Sequence, residues 1–194
     1  MGRYGIMISG KLVSLHAVEK EDLEQLKDWR NNTKLRKNFR EYREINMSHQ
    51  QTWFDKNIVN SLNTLMFSIR RIKDNILLGS CGFVYVNWVH RHADLSLYIG
   101  WQDAYIDKEG FAEEGCELLL NYGFNELGLN KVRTEVYEFD VQKASLLEKI
   151  GFVQDGKLRE HYWYGGRWWD AKLFSILSSE YYSKQRIDVE HDGL

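Results

Sequence analysis

A glycine stands where a predicted strand passes into a predicted helix, and its neighbours could bind an anion. Alternating residues through Ala93–Gly100 predict the strand, and from Gly110 onward the apolar residues recur at three- and four-residue spacing. The first backbone amides of a helix have no partner inside the helix, and the helix dipole favours negative charge there. The segment Lys108–Ala112 is therefore a candidate site for a phosphate or diphosphate group. An ordinary strand–loop–helix junction would show the same pattern.

Positive side chains and aromatic rings are interleaved along a second segment, between Trp29 and Arg43. Its cations are Arg30, Lys34, Arg36, Lys37, Arg40 and Arg43, in a chain whose formal net charge is −2. Arginine can bind a phosphate through two parallel hydrogen bonds, and aromatic rings stack on planar groups. The segment is therefore a candidate site for an anionic small molecule, and a solvated basic face is the alternative interpretation.

Hydrophobic periodicity along the rest of the chain predicts the elements that would hold these segments in place. The predicted strands are Lys11–Ala17, Thr64–Ile72, Ile76–His90, Ala93–Gly100, Lys131–Glu138, Phe152–Tyr164 and Arg167–Leu177. The predicted helices are Glu19–Arg30, His49–Asn60, the helix that begins at Gly110, and Asp140–Phe152. Residues 1–182 should form a single α/β (α+β) domain, in which helices flank a mixed, mostly antiparallel sheet of about seven strands. Residues 183–194 read as a polar tail that frays.

Composition and charge exclude several classes of protein. A formal net charge of −2 gives no global field that would attract nucleic acid or a membrane surface. No apolar run approaches the ~18 residues that span a bilayer, and no leader segment is recognisable at the N-terminus. Cys81 and Cys116 stand in apolar surroundings, as small core residues do in a reducing compartment. We expect a soluble cytoplasmic protein without a metal ion, because the six scattered histidines form no convincing ligand set.

From Gly110 to Phe152 the sequence resembles the GNAT N-acetyltransferase superfamily, most of all the branch with ribosomal-protein N-terminal and nucleotide-sugar N-acetyltransferases. The diphosphate loop of that family reads Gln/Arg-x-x-Gly-x-Gly/Ala, and the corresponding residues here are Asp107–Ala112. A later family signature begins with Asn, where this chain has Asp140, and ends in Lys-x-Gly-Phe, as Lys149–Phe152 does. The resemblance extends from about Lys11 to Tyr181. The glycine and the small residue of the loop match, whereas its leading Gln/Arg does not.

This resemblance implies a GNAT-like fold, a reaction and a co-substrate. An acetyl group would move from acetyl-CoA to a primary amine by direct attack in a ternary complex, without a metal. The pantetheine arm would pair with the backbone of Leu97–Ile99, and the diphosphate would lie on the amides of Lys108–Ala112. The implied cofactor-binding residues are Leu97, Tyr98, Ile99, Lys108, Gly110, Phe111, Ala112, Asp140 and Lys143.

The reaction requires a neutral amine, and a general base can provide it. Asp94 is the first candidate, because related enzymes often carry an acidic residue on this strand, facing the acceptor. Glu135 and Glu138 on the next strand are rivals. Each of the three could equally be a solvent-facing strand carboxylate, since such residues are usually exposed.

The departing thiolate can accept a proton from a general acid, which in this family is usually a tyrosine. The corresponding position here is Leu147, which cannot act in this way. Two hydroxyl groups remain as candidates, those of Tyr98 and Ser145. Otherwise the thiolate leaves unassisted, and catalysis would depend mainly on positioning of the reactants.

In this fold the segment Trp29–Arg43 would border the acceptor site. It resembles the Trp-Arg-Asn region of nucleotide-sugar N-acetyltransferases, which implies an amino-sugar nucleotide as acceptor. The implied substrate-binding residues are Trp29, Arg30, Arg36 and Arg40. Two alternatives stay open: an N-terminal acetyltransferase acting on a peptide, as on ribosomal proteins, and a non-catalytic acyl-CoA-binding module. The protein would be a monomer or a homodimer.

Overall fold

Eight strands form one mixed sheet in the part of the chain that the computed structural model describes, residues 8–191. They are β1 (Ile8–Ser9), β2 (Val13–Ala17), β3 (Leu65–Arg71), β4 (Leu77–Asn87), β5 (His92–Ile99), β6 (Lys131–Tyr137), β7 (Val153–Tyr164) and β8 (Arg167–Leu177). Their order in the sheet is β1-β2-β3-β4-β5-β6-β8-β7, and only β5 and β6 pair in parallel. The mixed, mostly antiparallel sheet is confirmed. Its additional strand, β1, has two residues, which is too short to produce a periodic pattern.

Helices cover both faces of the sheet. They are α1 (Leu23–Asn31), α2 (Thr33–Arg36), α3 (Met47–Trp53), α4 (Phe111–Asn121), α5 (Val141–Ile150) and α6 (Ser178–His191). Wider π turns extend α3 through Phe54–Val59 and α4 through Tyr122–Glu126. The sequence predicts α1, α3, α4 and α5 but neither α2 nor α6. Helix α2 has only four residues, and α6 has no marked apolar face.

The larger apolar core lies between the sheet and the helices α4 and α5. Cys116, Leu119 and Leu120 of α4 are fully buried in it, as the spacing of apolar residues predicts. Cys81 and Cys116 are both buried and unpaired. Burial raises the pKa of the Cys116 thiol to about 12, so this cysteine is an inert core residue.

A smaller core covers the opposite face of the sheet. Leu23, Leu26 and Trp29 of α1 pack there around Tyr98 of β5. This packing covers the middle of the sheet at β5, whereas most of the edge strand β7 is exposed. One half of this face is therefore closed by helices, and the half beyond β6 is open.

The chain after residue 182 does not separate from the domain at the point where the sequence predicts a tail. Helix α6 continues through this position to His191. The Lys184 ammonium donates to the carbonyls of Lys149 and Ile150 at 3.0 Å each, at the C-terminal end of α5. Fraying from residue 183 is therefore wrong, because a cation there binds the unpaired carbonyls at the end of a helix.

Candidate active site

A cleft of about 360 Å³ opens where β5 and β6 separate. The two strands pair only from His92–Lys131 to Asp94–Arg133. Beyond that point β5 stays paired with β4, and β6 stays paired with β8. The residues that line the gap include Arg30, Phe39, Arg40, Asp94, Ser96, Tyr98, Tyr105, Thr134, Glu135, Tyr137, Asp140 and Lys143.

Strand alternation decides which predicted residues reach this cleft. Leu97 and Ile99 belong to the larger core, whereas the Tyr98 side chain belongs to the smaller core on the opposite face. The backbone of Ile99 exchanges two hydrogen bonds with Tyr105, each 2.8 Å long. Ile99 also does not line the cleft. It therefore has no free backbone group for a cofactor, and the part of β5 that borders the gap is 94–98.

Two of the three candidate bases lie in the cleft. Asp94 Oδ1 accepts a hydrogen bond of 2.5 Å from Arg133 Nε. Glu135 lies further from its neighbours, with His161 Nε2 at 3.6 Å and the Arg40 guanidinium at 4.0 Å. Glu138 is exposed and does not line the cleft, because it follows the end of β6 and its side chain faces solvent. Its candidacy as a base is therefore not supported.

The two hydroxyl candidates for the general acid lie in different environments. Tyr98 is buried and lines the cleft, with its ring 5.0 Å from that of Phe39. Burial raises the pKa of Tyr98 above its ordinary value. Ser145 is exposed on α5 and does not line the cleft, since the helical period turns it away from the buried Ala144 and Leu147. Of the two, only Tyr98 is placed where a reacting group could lie.

Tyr105, which the sequence analysis did not select, completes the wall of the cleft. Its hydroxyl donates to Asp140 Oδ2 at 2.6 Å, and the same carboxylate caps α5 by accepting from the backbone amide of Lys143. Burial raises the pKa of Tyr105 well above its ordinary value. Asp140 is thus engaged by the protein itself, and the predicted cofactor contact through its carboxylate is not free to form. No sequence signal would have found Tyr105, which lies in an aperiodic loop.

Lys143, the other predicted cofactor residue on α5, lines the cleft beside Asp140. Burial lowers the pKa of its ammonium group, while the charge of Asp140 opposes this shift. A lysine in such a position can hold an anion in the cleft. The structure therefore leaves Lys143 as a candidate contact to the cofactor or the acceptor.

Three of the six cations in the basic segment between Trp29 and Arg43 have an acidic partner within 4.0 Å. Lys34 pairs with Asp103 at 2.9 Å, and Arg43 pairs with Glu41 at 2.8 Å. The fold therefore does not present the segment as one uniform cationic surface.

The four predicted substrate-binding residues of this segment separate into two pairs. Arg30 and Arg40 line the cleft. Arg36 does not, and its guanidinium donates to the carbonyl of Tyr42. Trp29 is only 8% exposed and does not line the cleft either, because it lies on the same apolar face of α1 as Leu26. The predictions for Arg36 and Trp29 are not supported by these positions.

The predicted diphosphate loop has its amides already engaged. Gly110 adopts a φ of +92°, a left-handed conformation that glycine tolerates, and α4 begins directly after it. The amides of Phe111 and Ala112 donate to the carboxylate of Asp107 at 2.8 and 2.7 Å, and the amide of Lys108 donates to Glu109. The prediction assumed free amides, and a carboxylate from the same loop binds two of them. Asp107 reaches these amides from three residues before the N-cap Gly110, a spacing that the sequence analysis did not consider.

Among the side chains that the structure describes, residues 8–185, no cluster of three or more His, Cys, Asp or Glu could hold a metal ion.

None of the helices in the described part of the chain is both long and apolar enough to cross a membrane.

The sheet, its parting between β5 and β6 and the helix that starts at Gly110 define the class of acyl-CoA-dependent acyltransferases. Residues 13–153 match the family model of the acetyltransferase (GNAT) domain, and the chain belongs to this family. It is an acetyl-CoA-dependent N-acetyltransferase, as the sequence predicts.

Similar proteins agree with this assignment. The chain is 26% identical to spermidine N(1)-acetyltransferase of Vibrio cholerae over 172 residues, or 89% of this chain and 96% of that protein. It is 30% identical over 118 residues, 59% of its length, to the uncharacterised N-acetyltransferase p20 of Bacillus licheniformis, and spans 63% of that relative. A crystal structure of the Vibrio cholerae spermidine N-acetyltransferase with CoA and spermine superposes with a TM-score of 0.80. That match has 25% identity and covers 87% of this chain and 97% of the other.

Changing Tyr105 to phenylalanine should lower the free energy of unfolding by about 1–3 kcal/mol, because Asp140 would lose its buried hydrogen-bond donor. Chemical denaturation of the two proteins measures the difference. The matched control is Tyr42→Phe. Because Tyr42 is 80% exposed, removing its hydroxyl should leave the free energy of unfolding almost unchanged. Equal stability of Tyr105→Phe and the parent would show that water replaces the tyrosine hydroxyl.

Proposed function

We propose that this N-acetyltransferase acetylates the amino group of a small molecule that also carries an anionic group, with amino-sugar nucleotides as the expected class. The charge balance of the cleft supports this choice. Of the three carboxylates in its lining, Asp94 is bonded to Arg133, Asp140 accepts from the Tyr105 hydroxyl, and Glu135 lies 4.0 Å from Arg40 and 3.6 Å from His161. Arg30 and Lys143 line the same cleft, and neither forms an ion pair with any described carboxylate. Two cationic side chains of the lining are therefore available to an anionic ligand.

Arg30 is held in place by aromatic rings. Its guanidinium carbon lies 5.4 Å from the ring centre of Phe39 and 5.9 Å from that of Tyr98. These contacts restrict the long side chain before a ligand arrives, which reduces the entropy lost on binding. A guanidinium fixed in this way suits a phosphate, to which it can donate two parallel hydrogen bonds.

The chain's residues can assist the reaction at two points. As the amine nitrogen attacks the thioester carbon, Glu135 or Asp94 takes the proton that the amine loses. The carbon–sulfur bond then breaks, and the thiolate takes a proton from the Tyr98 hydroxyl or from water. A backbone amide in the segment Ser96–Tyr98 is the candidate donor to the oxygen on which negative charge develops. These roles follow from the positions of the groups around the gap between β5 and β6.

Spermidine or a similar polyamine is the second candidate acceptor. It is favoured by the similarity to spermidine N-acetyltransferases over nearly the whole chain. A polycation needs carboxylates that are not already neutralised. If a carboxylate is already in an ion pair, that pair must be broken first, which costs free energy. The pairing of Asp94 with Arg133 in this cleft is therefore the physical argument against a polyamine.

A thiol-release assay with acetyl-CoA can separate the candidates. The panel is an amino-sugar nucleotide, spermidine and a peptide with a free N-terminus, each over a range of concentrations. We expect kcat/KM for the amino-sugar nucleotide to exceed that for spermidine by about tenfold or more, and added salt to raise its KM. Preference for spermidine would overturn the proposal in favour of a polyamine, and preference for the peptide in favour of an N-terminal acetyltransferase.

Changing Arg30 to alanine should lower kcat/KM for the anionic acceptor by about 10- to 100-fold, as expected when a charged hydrogen bond is lost. The KM for acetyl-CoA should stay near that of the parent. The matched control is Arg36→Ala, which removes an arginine from the same segment but not from the cleft lining. Similar losses in both variants would assign the effect to the general charge of the segment and not to Arg30.

A further inference from the structure

The N-terminal end of α4 already binds a negative charge, which comes from the protein itself. The two oxygens of the Asp107 carboxylate accept one hydrogen bond each, from Phe111 N at 2.8 Å and from Ala112 N at 2.7 Å. Both amides belong to the first turn of the helix, where the helix dipole favours an anion. The carboxylate therefore uses the strongest anion-binding groups of this loop.

The other acids around this helix end are engaged elsewhere. Glu113 pairs with Lys149 at 2.6 Å. The carboxylate of Glu114 accepts from three backbone amides of the segment 11–13, at 2.7–2.8 Å. Glu109 accepts from the Lys108 amide at 3.1 Å, so Asp107 is the one acid in this group that lies on the amides of Phe111 and Ala112.

The carboxylate and the diphosphate cannot both use these amides. Each of the two N–H groups has one hydrogen to donate, and two anions brought to the same helix end repel each other. A diphosphate can reach the amides only after the Asp107 side chain has rotated away. The cost of displacing the Asp107 carboxylate would then weaken the net binding of the cofactor.

We propose that Asp107 is an internal competitor for the diphosphate of CoA and that it sets the affinity of this enzyme for its co-substrate. The carboxylate closes the helix end when the cofactor is absent and leaves it when the cofactor binds. This proposal rests on the assignment of the diphosphate to the loop Asp107–Ala112. It is independent of the acceptor, because it concerns the binding of CoA alone.

Calorimetric titration with CoA, in the absence of any acceptor, tests the proposal. Asp107→Ala should bind CoA about tenfold more tightly than the parent, as expected when a competing charged hydrogen bond is removed. Pantetheine has no diphosphate, so its affinity should be the same in both proteins. The matched control is Glu113→Gln, which removes a negative charge from the first turn of α4 without freeing either amide, and should change CoA affinity less than about threefold.

The alanine variant also removes a helix cap, so thermal unfolding of each variant must accompany the titrations. Asp107→Asn provides a second variant, because an amide oxygen can still accept one hydrogen bond while the negative charge is gone. It should also bind CoA more tightly, by a smaller factor. Unchanged or weaker CoA affinity in folded Asp107→Asn would overturn the proposal, and so would tighter binding of pantetheine to the same extent. Neither outcome bears on the acceptor, which is tested by turnover.

Discussion

Replacing Gly79 with alanine is expected to destabilise the protein by about 3 kcal/mol. Gly79 pairs with Ile99 across β4 and β5, where the two backbones lie unusually close together. A Cβ atom at this position would overlap the carbonyl oxygen of Tyr98 and lie 2.9 Å from the Cα atom of Ile99. These are backbone atoms, so no side-chain rotation can relieve the contact, and β5 itself must move.

Movement of β5 should also reduce activity, because Ser96–Tyr98 borders the cleft. Urea denaturation measures the loss of stability, and the KM for acetyl-CoA measures the effect on the site. Gly156→Ala is the matched control, since Gly156 also lies in a strand but has no heavy atom within 4 Å of a Cβ at its position. Its stability should stay within about 0.5 kcal/mol of the parent. Equal stability of the two variants would show that the β4–β5 contact relaxes freely.

Changing Glu135 to glutamine is expected to lower kcat by about two to four orders of magnitude, the usual contribution of a general base. Glu135 lines the cleft, and its ion-pairing neighbours, His161 Nε2 at 3.6 Å and Arg40 at 4.0 Å, lie beyond hydrogen-bond length. Asp94, the first candidate from the sequence, has one oxygen already bonded to Arg133. The geometry therefore favours Glu135, and we expect a smaller loss of kcat for Asp94→Asn.

The pH dependence of kcat/KM separates a base from a structural carboxylate. In Glu135→Gln the loss should be greatest at low pH, where little of the amine is neutral, and should shrink as the pH rises. CoA affinity should not change. Glu138→Gln is the control, because Glu138 is exposed next to the end of the same strand and does not line the cleft. A larger loss in Asp94→Asn than in Glu135→Gln would return the role of base to Asp94.

Local patterns in the sequence determined most of the framework. The strand Arg167–Leu177 has the predicted limits, and Gly165 and Gly166 both adopt positive φ in the turn before it, as a hairpin requires. The helix after Gly110 buries the predicted face. These features depend on neighbours within a few residues, through side-chain alternation, helical period and glycine conformation, so the chain specifies them without its tertiary contacts.

The tertiary structure decided which side chains of the site pair with each other. Asp94 and Arg133 are 39 residues apart, and only the short parallel pairing of β5 with β6 brings them together. The same separation of strands opens the cleft, and the loop after β5 delivers Tyr105 to Asp140. Periodicity carries no information about such partners, because they depend on the register of strands that are distant in sequence.

The basic segment is the clearest example of partners that the sequence alone cannot predict. Its density of arginine and lysine is evident in the sequence, but Asp103 reaches Lys34 only through the fold. Arg30 is left without a described acidic partner because it points between the rings of Phe39 and Tyr98. Charge composition is a property of the sequence, whereas the charge that remains for a ligand is set by pairing in three dimensions.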